Sequence, residues 1–424
     1  MGRGRSSNIA YPNEHSRSAD LFRRAQRVLT DGGSRSTIRI APYSLYVASA
    51  QGKYVTDLDG NTFVDFNYNY TSMIHGHAHP AVIDAAMQQI RRGSGFSFGS
   101  EAEFELAALI CDRCANFDKI RFMNSGTEAV MNAIKVARAY TGRPKIAKCE
   151  NAYHGSYDFA EVSLGVEPTD LDAGDPVSRR YSQGTPQGVL DDVVVIPFNE
   201  AEIARRILEA HAGELAAVLI DPMGANMARI PPSDAFLSML RRFCDDHGVL
   251  LIADEVIAFR AGPDGVQGDR GFRPDLTTLG KIIGGGFPVG AVAGRGDVMS
   301  VYETDGGKPK VPHGGTYNAN PVSMAAGHAA MKLLAGDAFD RLNAVGDAFR
   351  KGIQEVIDLS GIDARCEGQY SIFGITTEDP VLVDGSARGQ VYRSGGLHRY
   401  MAQHGFWLTP GLSGVLCTLM DESD

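Results

Sequence analysis

The chain is predicted to be α/β, with a large, doubly wound, mostly parallel sheet domain and a small α+β domain drawn from both termini. Three observations carry this. From about residue 80 to 334, strand-like and helix-like patterns alternate, as a doubly wound sheet requires. Short apolar runs, 249–253 (VLLIA) and 216–220 (AAVLI), are continuous rather than alternating, which suits strands covered on both faces. The flanking stretches carry short strands and helices without that alternation. The expected division is an N-terminal arm and part of the small domain at 1–75, a large domain at 76–334, and a C-terminal small domain at 335–424.

In the N-terminal part a helix is expected near 18–29, ended by Asp31-Gly32-Gly33. Strands follow at 45–47 and 54–57, with Asp59-Gly60-Asn61 as a hairpin turn. In the C-terminal part the pattern reads as helices near 338–359 and 397–404, with strands near 371–375 and 415–419.

The most informative stretch is 249–281. The apolar run 249–253 ends in Asp254 and Glu255. A second run, 276–279 (LTTL), ends at Gly280-Lys281, followed by Gly284-Gly285-Gly286. Ligands of open α/β sheets lie beyond the carboxyl ends of the strands. An acid and a lysine at two such ends could therefore face one small molecule. A lone lysine after a strand is ordinarily solvated or ion-paired. The pair is more pointed. A lysine amine forms a Schiff base with an aldehyde, and pyridoxal phosphate needs that lysine together with an acid against its pyridine nitrogen.

Such a cofactor also needs a phosphate cradle and a ring to stack on it. Residues 124–129 (NSGTEA) follow the strand-like 120–122 and open the helical pattern 129–137. Backbone amides at a helix N-terminus, with the Ser125 and Thr127 hydroxyls, suit a phosphate dianion. Read alone, the same stretch is equally an ordinary capped helix. Tyr153-His154-Gly155 supplies an aromatic ring beside a glycine.

NSGTEA, AYHG, ADEV and TLGK, in this order, resemble the class-III pyridoxal-phosphate-dependent aminotransferases of fold type I. The resemblance spans about residues 19–417. It is nearest the glutamate-1-semialdehyde aminomutase branch, which also contains β-amino-acid transaminases. It implies that Lys281 holds the cofactor as a Schiff base and that Asp254 stabilises its ring nitrogen. Tyr153 and Val256 would then pack on the two ring faces, with His154 beside them. Ser125, Gly126 and Thr127 would hold the phosphate, joined by Thr316 from a neighbouring subunit in a homodimer with shared sites. Asn226 matches an asparagine near the cofactor's phenolic oxygen.

For substrate, Arg35 aligns with an arginine that reads a carboxylate in β-phenylalanine-type transaminases, a task suited to a bidentate guanidinium. A surface arginine near a turn is the alternative. Arg39 is a rival for the same task, and Tyr70 closes an aromatic stretch (FVDFNYNY) that borders the site in the family. No arginine stands near Pro410-Gly411-Leu412, which points to a more apolar pocket on that side. Asp221 stands where the family usually has glutamate. The chain ends in MDESD, a helix start without a body, so a last helix of the family is expected to be missing.

The expected activity is transfer of an amino group from an amino acid, with β-amino and aromatic donors as candidates, to a keto acid. The alternatives are a glutamate-1-semialdehyde 2,1-aminomutase and a non-catalytic pyridoxal-phosphate-binding module.

Composition narrows the partners. With 43% hydrophobic and 22% charged residues in 424, the chain has ordinary globular composition. A formal net charge of −10 argues against nucleic acid. No stretch reaches the roughly 20 apolar residues of a membrane span, and no signal-peptide core is visible. Met1-Gly2 with Ser6 fits a loose N-myristoylation pattern, but nothing else suggests a membrane. A cytoplasmic enzyme is expected. Cys111 and Cys114 fall in a helical pattern and read as free thiols rather than a redox or zinc pair. His75, His77 and His79 resemble a metal site, but no acid or cysteine accompanies them, so no metal is expected.

Overall fold

A computed structural model describes residues 5–224, 230–377 and 396–421. It forms two compact units, Met1–His79 with Arg341–Asp424, and Pro80–Asp340.

The first unit begins with α1 (Arg17–Ala25), capped where the Ser16 hydroxyl accepts from the Ala19 amide at 3.1 Å. The helix stops short of residue 29. Asp31 and Gly32 then take φ of 51° and 73°, which no right-handed helix continues through. A meander follows of β1 (Val47–Gln51), β2 (Tyr54–Asp57) and β3 (Thr62–Asp65). Asp57 shapes the second hairpin, its Oδ1 accepting from the amides of Asp59 and Asn61. β1 starts only at the last residue of the run expected to be a strand and extends beyond it to Gln51.

Tyr68, Asn69, Tyr70 and Thr71 all have positive φ, from 45° to 74°. Consecutive residues with a Cβ thus make one left-handed turn, at a cost of about 1–2 kcal/mol each. Side chains offset this. Asp65 Oδ1 accepts from the amides of Asn67 and Tyr68, and Asn67 Oδ1 accepts from the Tyr70 amide at 2.6 Å.

The second unit opens with α2 (Pro80–Arg92) and α3 (Glu101–Arg113). It continues with β4 (Lys119–Met123), α4 (Gly126–Thr141), β5 (Lys145–Cys149), β6 (Val193–Ile196), α5 (Ala201–Ala210) and β7 (Leu215–Ile220). Then come α6 (Asp234–His247), β8 (Leu250–Asp254), β9 (Leu276–Gly280), β10 (Gly290–Gly294) and α7 (Pro321–Leu333). The seven strands form one sheet in the order β4-β10-β9-β8-β7-β5-β6. β10 is antiparallel to both its neighbours and the other pairings are parallel.

The continuous apolar runs are explained by two cores. Leu219 and Ile252 pack with Val130, Ala133 and Ile134 of α4. Val218, Ile220, Leu251 and Ala253, on the other face, pack with Leu208 of α5 and with Phe236 and Leu240 of α6. Each fully buried Leu or Ile contributes about 1.5–3 kcal/mol. The same pattern brings the carboxyl ends of β4, β5, β7, β8 and β9 to one edge of the sheet.

The chain returns to the first unit at Arg341, within α8 (Ala338–Ser360), which leads to β11 (Ala364–Glu367) and β12 (Ile372–Thr377). Further along lie α9 (Gly396–Gln403), β13 (Phe406–Trp407) and β14 (Ser413–Val415). The short β13 runs parallel to β3, pairing Phe406 with Val64, and so adds a C-terminal strand to the N-terminal sheet. The last strand lies at Ser413–Val415 rather than 415–419, because its ladder partners are Ile372, Phe373 and Gly374 of β12.

Candidate active site

Parallel register places Ile220 beside Ala253, and Asp254 beside Thr278. Asp221 and Asp254 therefore emerge next to each other at the carboxyl edge, with Lys281 just past the end of β9. Lys281 has φ of 49°. Strain of this kind in a residue with a side chain clusters at functional positions.

Asp254 is held from three sides. Its Oδ2 lies 2.8 Å from His154 Nδ1, and its Oδ1 accepts from the Thr278 hydroxyl at 2.9 Å and the Val256 amide at 3.2 Å. Burial alone would raise this carboxyl, but those hydrogen bonds, His154 foremost, bring it below the usual range. Burial keeps the His154 ring below its ordinary range despite Asp254. The arrangement is a neutral imidazole donating from Nδ1 to a carboxylate. The next acid, Glu255, is engaged elsewhere, its Oε1 accepting from the Gln267 amide at 2.8 Å and its Oε2 from the Val266 amide at 3.2 Å.

Lys281 is the reverse case. Burial pushes its amine down to about 8, against the pull of the Asp254 and Asp221 carboxylates. Asp221 is pushed up to about 7 by burial and then by the Asp254 charge, while the Met223 and Gly224 amides oppose the shift. A cluster of an ionised acid, an acid that titrates near neutrality and a readily deprotonated amine is suited to moving protons.

The turn after β4 meets this edge. Ser125 caps α4, its Oγ accepting from the Glu128 amide at 3.1 Å, and Glu128 Oε2 accepts from the Asn124 amide at 2.6 Å. Thr127 Oγ1 accepts from the Ser156 amide at 3.1 Å. Both hydroxyls thus have an acceptor lone pair occupied and an O–H hydrogen to give to an anion. Glycine is needed nearby. A Cβ on Gly126 would stand 2.9 Å from Val256 Cγ1, and one on Gly155, whose φ is 87°, would stand 2.7 Å from Thr127 Oγ1.

Tyr153 is 58% exposed, so its ring is available to a ligand. The loop carrying it is tied at its base by buried Lys148, whose Nζ donates to the carbonyls of Cys149 at 3.1 Å and Val162 at 2.7 Å.

The structure thus brings Ser125, Gly126, Thr127, Tyr153, His154, Asp254, Val256 and Lys281 to one sheet edge. Thr316 is exposed on a turn fixed by the 2.8 Å bond from Asn124 Nδ2 to Asn318 Oδ1. Asn226 lies outside the described residues. Arg35, Arg39 and Tyr70 belong to the other unit. There Arg35 Nη1 donates to Asn69 Oδ1 at 2.8 Å, and Tyr70 donates its hydroxyl to the Thr37 carbonyl at 2.5 Å. Arg39 is engaged by the Asp31 carboxylate at 3.2 Å and the Ile40 carbonyl, and lies 4.6 Å over the Phe22 ring. His75 and His77 pair separately with Thr418 and Asp65. Among the described residues no group of His, Cys, Asp and Glu is placed to hold a metal ion.

Sequence reasoning missed Thr278 as a partner of Asp254. The available signal was a hydroxyl within an otherwise apolar strand.

A cradle of small residues, two anion-ready hydroxyls, a deprotonatable lysine and a charged acid fit pyridoxal phosphate. Comparison with known proteins agrees. The family described as Aminotransferase class-III matches residues 38–394. A glutamate-1-semialdehyde 2,1-aminomutase of Methanopyrus kandleri is 36% identical over 406 residues, 94% of this chain and 92% of that protein. An omega-transaminase from Sphaerobacter thermophilus superposes with a TM-score of 0.91 at 46% identity, covering 97% of this chain and 95% of the other. A β-phenylalanine aminotransferase from Variovorax paradoxus does so with a TM-score of 0.81 at 31% identity, covering 96% and 90%. The chain belongs to the class-III aminotransferase family and is a pyridoxal-phosphate enzyme of fold type I.

Proposed function

We propose that the enzyme transfers the amino group of a carboxylate-bearing β-amino or aromatic amino acid to a keto acid. The observation that carries this is the buried Lys281 amine just past β9, electrostatically coupled to Asp254 and Asp221 at the sheet edge that the capped turn at Ser125–Thr127 also meets. The 46% identity with an omega-transaminase supports amino transfer, and the likeness to a β-phenylalanine aminotransferase supports the donor class.

When bound, the cofactor supplies a carbonyl for amine exchange and a protonated ring that draws electrons from the substrate carbon. Lys281 Nζ would take the proton from that carbon and return it to the carbon of the cofactor's carbonyl, which leaves the amino group on the cofactor. Asp254, oriented by His154 and Thr278, would keep a proton on the ring nitrogen of the bound cofactor. Ser125, Gly126 and Thr127 bind the phosphate with the α4 N-terminus. Tyr153 and Val256 would cover the two ring faces. Arg35 receives the substrate carboxylate.

The enzyme works as a homodimer, in which exposed Thr316 reaches the phosphate held by the neighbouring subunit. Exposed Phe98, Phe104 and Tyr317 in the same unit supply apolar surface for such an interface. The cysteines are free, which supports a reducing, cytoplasmic setting. No described helix is long and apolar enough to cross a membrane.

The test is a set of half-reactions. β-Phenylalanine, α-amino acids of both hands and simple amines are added singly to the loaded enzyme without acceptor. Loss of the lysine-bound cofactor's absorbance with one donor class, restored by a keto acid, is the expected result. The second reading, an aminomutase, is favoured by the 36% identity with the Methanopyrus protein. Acceptor-free isomerisation of glutamate-1-semialdehyde, with no donor converted, would select it.

The lowered amine also has a measurable consequence. Cofactor-free enzyme should capture pyridoxal phosphate at a rate that rises about tenfold per pH unit below the amine's midpoint and then levels, because the neutral amine is the nucleophile. That midpoint is expected at about 8. A rate in stopped-flow measurements that kept climbing steeply to an ordinary lysine's range would show an unshifted amine.

A further inference from the structure

The left-handed turn at Tyr68–Thr71 contains no glycine, although glycine would adopt it at least cost. Its side chains are therefore where a function would lie. The two central ones both reach the segment that carries Arg35. Asn69 Oδ1 accepts from Arg35 Nη1 at 2.8 Å, and the Tyr70 hydroxyl donates to the Thr37 carbonyl. The Asn69 amide is oriented from its other end, since Nδ2 donates to Ser72 Oγ at 3.2 Å and Ser72 Oγ donates to the Asn69 carbonyl at 3.0 Å. The oxygen that meets the guanidinium is thus assigned by a network.

The chemistry of that contact matters. An amide oxygen fixes a guanidinium without cancelling its charge. Arg39 shows the opposite arrangement, for its partner is the Asp31 carboxylate. Arg35 and Asn69 are both exposed, so the remaining guanidinium N–H groups are open to an incoming anion.

We propose that Asn69 is the positioning residue that orients Arg35, its charge uncancelled, for the carboxylate of the amino donor, and that the left-handed turn exists to place it there. The proposal rests on the reading of Arg35 as the carboxylate receptor. Asparagine suits both demands, because it tolerates left-handed backbone and carries a neutral acceptor.

The experiment measures binding of 3-phenylpropanoate to the pyridoxal-phosphate-loaded enzyme by calorimetry, with uncharged 3-phenylpropanamide as control. Three variants are compared with the unchanged enzyme. Arg35→Ala should weaken the acid about 10- to 100-fold and leave the amide alone, as expected for a lost charge-assisted pair. Asn69→Gly keeps the backbone and removes the hold, and should weaken the acid about 3- to 10-fold. Asn69→Asp keeps both backbone and hold but cancels the charge, and should weaken the acid at least as much as Asn69→Gly. If the unchanged enzyme ignores the acid, or Arg35→Ala has no effect, the Arg35 reading fails and the proposal with it. If Arg35→Ala weakens binding but neither Asn69 variant does, only the positioning role is overturned. If Asn69→Asp binds the acid like the unchanged enzyme, the contact is merely structural and the proposal is again overturned.

Discussion

Replacing Lys281 with alanine is expected to lower kcat by at least about 10⁴-fold, the range of losing both a covalent amine and a general acid–base group. Neither adjacent acid can replace the covalent amine. Asp254 is held ionised by its hydrogen bonds and has no proton to give, and Asp221 is anchored by the Met223 and Gly224 amides. The protein should remain folded. Burial lowers the lysine's pKa, so its charged form is a cost to folding rather than a support. Two readings check this together, the steady-state rate and the absorbance of the lysine-bound cofactor. A variant that turned over at the original rate would remove Lys281 from the chemistry.

Asp254→Asn should reduce kcat by about 10²- to 10⁴-fold, through loss of the charge that, on the proposed reading, would keep a proton on the ring nitrogen of the bound cofactor. Asparagine preserves the shape, so the loss reports charge. Its effect should also exceed that of Thr278→Val, which removes a single hydrogen bond of about 0.5–3 kcal/mol. The stability consequence has a definite sign. The Asp254 carboxyl lies below its ordinary value in the folded state, so its contribution is fully present above the ordinary carboxylate range and is lost as pH falls through the lowered value. Near neutral pH the Asn variant should therefore be less stable in urea, and the difference should shrink under strongly acidic conditions. Equal stability at both pH values would mean that the hydrogen bonds to His154 and Thr278 do not favour the ionised form.

Much of the candidate site's sheet edge was legible before folding. The apolar run at 249–253 announced a strand covered on both faces, and the residues at its end and after 276–279 announced an acid and a lysine. These are local facts. A buried strand must be apolar, and the chain must change character where it leaves the sheet. The turn at Ser125–Thr127 was legible for the same reason, since a capped helix start uses neighbouring residues.

Other features depend on distant parts of the chain. The position of β10 between β4 and β9, antiparallel to both, follows from ladder pairing across the sheet and has no signature in GAVAG itself. Phe406–Trp407 is too short to show a strand pattern, and becomes one because β3 offers it a partner. The Thr278–Asp254 contact exists because parallel register sets those residues side by side. The left-handed turn at Tyr68–Thr71 is the extreme case. Its residues disfavour that backbone locally, and hydrogen bonds to the Asp65 and Asn67 side chains, with the buried Tyr68 ring, hold it there. Composition and periodicity dictate which segments become strands and helices and which polar groups stand at their ends. Pairing order, register and backbone handedness are settled by the summed contacts of segments far apart in the chain, which can outweigh a local preference of a few kcal/mol.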